Sequence, residues 1–288
     1  MLLSIPVELG GYGSRCFATR RAVAQSLSQV CSSHLIPSGT SVVLHGSFAT
    51  GEITAFSDVD IVVLSARLSS TDLRRQCHSL VMHLQTEMWR VDPSMHHGVT
   101  LFGAEALAHY DESALPLAAL KCGFLVSGDA TVRIDPCSQA DTQAKANVKL
   151  RAQLEYARER SGVLATRSPY GLKGLMSVAM LIPSLWYQAT SGISMYKRDA
   201  LARFSNEHPE LDPSRAIELC TALRQRWRSG DSNRRVHAVA VRLLRGIGDG
   251  LWANRLYSLF PPVDGKIHYE VGRRVRAMVR SMEDNVSR

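Results

Sequence analysis

Two acids and a glycine-serine pair, all within residues 45–64, are the side chains whose types and spacing could do chemistry. Asp58 and Asp60 stand two positions apart, directly before the apolar run Ile61-Val62-Val63-Leu64. In an extended strand such residues point to the same face with Cα atoms about 7 Å apart, so both carboxylates can serve one metal site. Mg²⁺ is a hard, strongly hydrated ion, usually held by one or two carboxylates together with substrate phosphates, so this pair suits a nucleoside triphosphate and its metal. Upstream, Gly46 and Ser47 follow a second apolar run, Val42-Val43-Leu44. The glycine lets backbone come close to phosphate oxygens, and the serine supplies amide and hydroxyl donors. The plain alternative is a pair of surface acids on a half-exposed strand. Against it, inward-facing acids at the head of an apolar strand are costly unless they bind something.

The two short β-branched runs read as buried strands flanking a polar loop. A helix over about residues 15–36 leads in, with Phe17, Val23, Leu27, Val30 and Leu35 inward, and Pro37-Ser38-Gly39 stops it. A helix from about Thr71 to Trp89 buries Leu73, Leu80, Val81 and Leu84, and Val99 to Phe102 reads as a third strand. Short strands around 124–126 and 131–134 are joined at Gly128-Asp129. From about residue 141 the pattern becomes helical, with Val148, Leu154 and Ala157, then Leu172 to Trp186, then Val236 to Leu251 on inward faces. Ser168-Pro169 and Asp212-Pro213 read as helix starts. The fold class is therefore α+β: a small mixed β-sheet domain over residues 1–138 and an all-α helical bundle over 139–288.

Gly-Ser, a spacer, then Ser-Asp-x-Asp entering the next strand resembles the motif of the nucleotidyltransferase superfamily, which includes DNA polymerase beta and the antibiotic nucleotidyltransferases. The lead-in HLIPSGTSVVLHGS and the later SLWYQATSGISMYKRDAL resemble the streptomycin and spectinomycin adenylyltransferases, whose second domain is helical. The resemblance implies Mg²⁺-dependent transfer of a nucleoside monophosphate, usually AMP from ATP, onto a hydroxyl. It makes Asp58 and Asp60 the metal-binding and catalytic acids, and Gly46, Ser47, Ser57 and Lys197 the nucleotide-binding residues; Lys173 is a weaker alternative to Lys197. The superfamily's third carboxylate, on the later strand, has no counterpart in DPSMHHGVTLF. His97, or else His96, stands in its place, because a neutral imidazole can accept a hydroxyl proton near pH 7. Asp92, Glu87 and Glu105 are reached by a small change of register. A structural histidine pair is the competing reading, and it would leave a catalytically weak or silent nucleotide-binding module.

The 288 residues carry a net charge of +8. Residues 1–150 hold 11 Lys and Arg against 13 Asp and Glu, whereas residues 151–288 hold 23 against 13. Aminoglycosides are polycations that call for an acidic cleft, so this balance disfavours an antibiotic acceptor. It favours an anionic one, RNA such as tRNA or an acidic protein. Arg235, Arg242 and Arg245 form one basic helix stripe, and Arg273, Arg276 and Arg280 a second; for either alone a solvated face is the simpler reading. The six cysteines lack CxxC or zinc spacing and read as reduced thiols, and the first residues lack the features of a secretory signal, so a cytoplasmic setting is expected. Residues 9–51 contain no acid and three arginines, Arg15, Arg20 and Arg21, a composition shared with transit peptides, although the same segment opens the fold. No stretch is long and apolar enough for a membrane span.

Overall fold

A computed structural model describes residues 1–7, 14–54, 57–91, 97–162, 169–226 and 265–286. They divide into two compact units, Met1–Ser138 and Gln139–Arg288. The first contains β1 (Leu2–Ser4), α1 (Ser14–Ser32), β2 (Thr40–His45), α2 (Gly46–Thr50), β3 (Asp60–Ser65), α3 (Ser70–Gln76), α4 (His78–Val91), β4 (Thr100–Phe102), α5 (Ala104–Ala108), α6 (Leu117–Lys121), β5 (Phe124–Gly128) and β6 (Thr131–Arg133). The second contains α7 (Gln139–Arg160), α8 (Pro169–Ser191), α9 (Lys197–Glu207), α10 (Ala216–Arg226) and α11 (Gly265–Val286).

The main sheet has the order β4-β3-β2-β5. β2 pairs antiparallel with β3 and β5, and β4 lies parallel to β3, so the sheet is mixed. β2 and β3 are β-branched and lie in the interior of the sheet, where Val42, Val43, Leu44, Val62, Val63 and Leu64 are wholly buried. Val59, Ile61 and Val63 project into a core shared with Leu27 of α1 and Leu80, Leu84 and Met88 of α4. That period of two sends Asp58 and Asp60 the other way.

Several elements depart from the sequence expectation. The lead-in helix ends at Ser32, so Leu35 escapes its periodicity and is 95% exposed. The span 71–89 is two helices rather than one, separated by Cys77. The residues expected to be a plain loop after β2 begin with α2. β5 and β6 follow one another yet do not pair: β5 joins β2, and β6 forms a separate two-stranded sheet with β1. In α7 the buried stripe is Thr142, Ala146, Leu150, Leu154 and Ala157. Val148, two residues from both Ala146 and Leu150, faces about 200° away and is exposed. α8 runs through Pro183 without ending. α10 starts at Ala216, later than Pro213 suggests, and Asp212 still caps it by accepting the amides of Ala216 and Ile217 at 2.7 and 3.1 Å. The expected helix over 236–251 and the stripe Arg235, Arg242 and Arg245 lie outside the described residues. Among the described residues, no helix is long and apolar enough to cross a membrane.

Candidate active site

The turn from β2 into α2 has a conformation that restricts its sequence. Gly46 has φ of +68°, in the left-handed region, and a Cβ built on it would run into Asp60 Oδ2. Only glycine meets both conditions. His45 pairs with Asp60 across the β2–β3 ladder, which seats the turn beside that carboxylate. His45 is also the N-cap of α2, yet its side chain makes no capping bond to the first amides of the helix. Such amides are the donors that phosphate oxygens accept from. Burial, and then the like charge of His97, lower the His45 pKa to about 4, so this ring is neutral near pH 7.

α2 is held from below. Phe48 is buried in the core of the unit, and Gly51, with φ of 86°, closes the helix by donating its amide to Ser47 O at 2.8 Å. Arg20 of α1, wholly buried, donates Nε to Phe48 O at 2.9 Å and Nη2 to Ala49 O. A buried guanidinium thus ties the last carbonyls of α2 to the helix packed beneath it. Arg20→Met keeps the apolar stem and removes those donors. Loss of hydrogen bonds from a charged donor is expected to cost about 3 kcal/mol of stability, measurable by urea unfolding.

Asp58 is buried and Asp60 half-buried. His97 Nε2 lies 3.8 Å from Asp58 Oδ2, with the ring about half exposed. Gln85 of α4 sets that position: its Nε2 donates to His97 O at 3.4 Å, and its Oε1 accepts from the Val99 amide at 3.1 Å. Ser57 is buried, its Oγ accepting from the Thr54 amide at 2.8 Å, so it closes the turn that delivers Asp58. Glu87 and Glu105 are engaged elsewhere. Glu87 accepts from Ser26 Oγ at 2.9 Å and pairs with Arg90, while Glu105 faces the Ser70 hydroxyl and accepts from the Ser70 amide at 2.7 Å; hydrogen bonding to that hydroxyl, and then to the amide, holds its carboxyl below the usual range. Asp92 and His96 lie outside the described residues. Lys197 is the first residue of α9, in the second unit, where it is half-buried; its link to a triphosphate rests on the resemblance alone. Lys173 is wholly buried within α8.

Neither Arg20 nor Gln85 stands out as a site residue in the sequence. Arg20 did leave a trace, because it lies on the helix face of Val23, Ala24, Leu27 and Cys31, all buried. Gln85 leaves none.

Among the described residues, no group of three or more His, Cys, Asp or Glu side chains is placed to hold a metal unaided. Two carboxylates beside a left-handed glycine turn nevertheless suit a hard divalent ion whose remaining ligands are substrate oxygens and water. Residues 24–88, which run from α1 to α4 and include Gly46, Ser47, Asp58 and Asp60, match the family model described as a nucleotidyltransferase domain. No curated protein matches the chain.

Proposed function

We propose that this protein, whose residues 24–88 match the nucleotidyltransferase domain model within an α+β fold, transfers a nucleoside monophosphate, AMP from ATP, onto the hydroxyl of an anionic acceptor. The observation that carries the reading is the seating of the Gly46 turn against Asp60, which puts a left-handed glycine bend and a carboxylate in one place. Asp58 and Asp60 would hold Mg²⁺. The ion would supply charge neutralisation at the α-phosphate when bound.

The protein's own groups account for the remainder. The amides of α2 and the Ser47 hydroxyl hold the outer phosphates. The acceptor oxygen attacks the α-phosphorus, the bond to the β-phosphate's bridging oxygen breaks, pyrophosphate leaves, and His97 Nε2 takes the hydroxyl proton. His97→Ala is then expected to slow turnover by about a hundredfold. His97→Asp, which supplies the carboxylate the superfamily carries on this strand, should recover part of that loss in a steady-state assay.

Incubation with Mg²⁺, each α-³²P-labelled nucleoside triphosphate in turn and a cell extract tests the reading directly. Label from ATP should appear in RNA or protein. Label in neither fraction, with triphosphate bound but unconsumed, would establish a silent nucleotide-binding module instead. Label in a small cationic product would point to an antibiotic acceptor.

A further inference from the structure

α11 is amphipathic to an unusual degree. Val271, Val275, Met278, Val279 and Met282 are wholly buried on one side of it. On the other side, Tyr269, Arg273, Arg276 and Arg280 follow one another at spacings of four, three and four. At about 100° per residue they fall within a stripe about 60° wide and about 16 Å long. Together with Ser161, at the end of α7, they line a cavity of about 280 Å³.

The charges on this stripe are unequally compensated. Glu270 binds Arg273 through both oxygens and also pairs with Arg274, and these two guanidiniums pull its carboxyl down to about 2. Among the described residues Arg276 is held by Ser161, Nη2 donating to the carbonyl at 3.0 Å and Nε to Oγ at 3.2 Å. That grip uses one edge of the guanidinium and orients the rest. Among the described residues, no carboxylate pairs with Arg276 or Arg280. Tyr269, 57% exposed, offers a ring at the head of the same stripe.

We infer that this face of α11 binds a single strand of RNA, the phosphates along Arg276 and Arg280 and a base on Tyr269. Arg276 and Arg280 are about 6 Å apart along the helix, further than the oxygens of one phosphate reach, so the pair fits two successive phosphates. Guanidiniums match phosphate oxygens in pairs. An acidic peptide would satisfy the arginines but has no use for an exposed aromatic ring, whereas an unpaired base stacks on one. Unpaired, splayed bases are how RNA presents itself to proteins, and each ribose carries a hydroxyl that deoxyribose lacks. The inference rests on the proposed transfer reaction for its meaning, since it names the acceptor, yet its test needs no nucleotide.

The test is fluorescence anisotropy of a short labelled RNA strand with the full chain, in rising KCl and without triphosphate. Arg280→Glu, at an exposed position with no internal partner among the described residues, is expected to weaken binding about tenfold and to flatten the log–log salt dependence by about 0.7. Tyr269→Ala should lose about fivefold or more with little change in that slope. No binding by the native protein, or equal binding by both stripe variants, overturns the inference. So does a matching DNA strand or an acidic peptide that binds as tightly as the RNA. Binding with the expected losses but no transfer of label would defeat the proposed function and leave the docking face standing.

Discussion

Asp60→Asn is expected to reduce transfer of label from α-³²P-ATP by about a thousandfold or more, with no loss of thermal stability. The magnitude is that of removing a group that stabilises charge only as the reaction proceeds. Stability should hold because the amide has nearly the shape of the acid, and because removing one of two neighbouring negative charges relieves repulsion in the free protein. Asp58→Asn should lose activity to a similar degree, although Asp58 also faces the His97 imidazole at 3.8 Å, so its melting temperature is the more sensitive of the two. Undiminished labelling by either variant would refute the site, whatever its effect on folding.

Gly46→Ala should damage both stability and activity, and the reasons can be separated. An alanine forced to φ of +68° costs about 1–2 kcal/mol in the backbone alone. Its methyl group would also displace the Asp60 carboxylate, and a misplacement of about 1 Å at a reacting centre costs about a hundredfold in rate. Gly51→Ala separates the two effects. Gly51 lies at the other end of α2 with φ of 86°, so the variant bears the backbone cost and leaves Asp60 undisturbed. It should melt early and still transfer label. Equal loss of activity in both variants would show that the turn acts through stability rather than through Asp60.

What the sequence disclosed and what it withheld divide along a physical line. β2 and β3 were legible because runs of Val, Ile and Leu bounded by turn residues carry their own signal, and the period of two between Asp58 and Asp60 belongs to the chain itself. The alternation that buries Val59 and Ile61 follows from the same rule. Pairing across distance was not legible. Nothing local says that β5 leaves β6 for β2, or that β4 runs parallel to β3 and brings His97 toward Asp58. The helix end near Leu35 and the inward face of α7 at Val148 are misread because an apolar residue continues the pattern by chance. Arg20 and Gln85 were missed for a related reason: each acts on backbone atoms far along the chain, Arg20 on residues 28 and 29 positions away. A cation amid Val23, Leu27 and Cys31 should nonetheless prompt a search for the carbonyls it serves.

If the proposed function holds, the anchoring of α2 bears on what it costs to bind a triphosphate. A guanidinium remains protonated throughout the physiological range, so the tether from Arg20 does not lose its charge as pH rises, as a histidine tether would. With Phe48 sunk in the core beside it, the bend stands ready-made before any ligand arrives. On the proposed reading, little ordering entropy is left to lose when the outer phosphates of a triphosphate are captured, whichever base it carries.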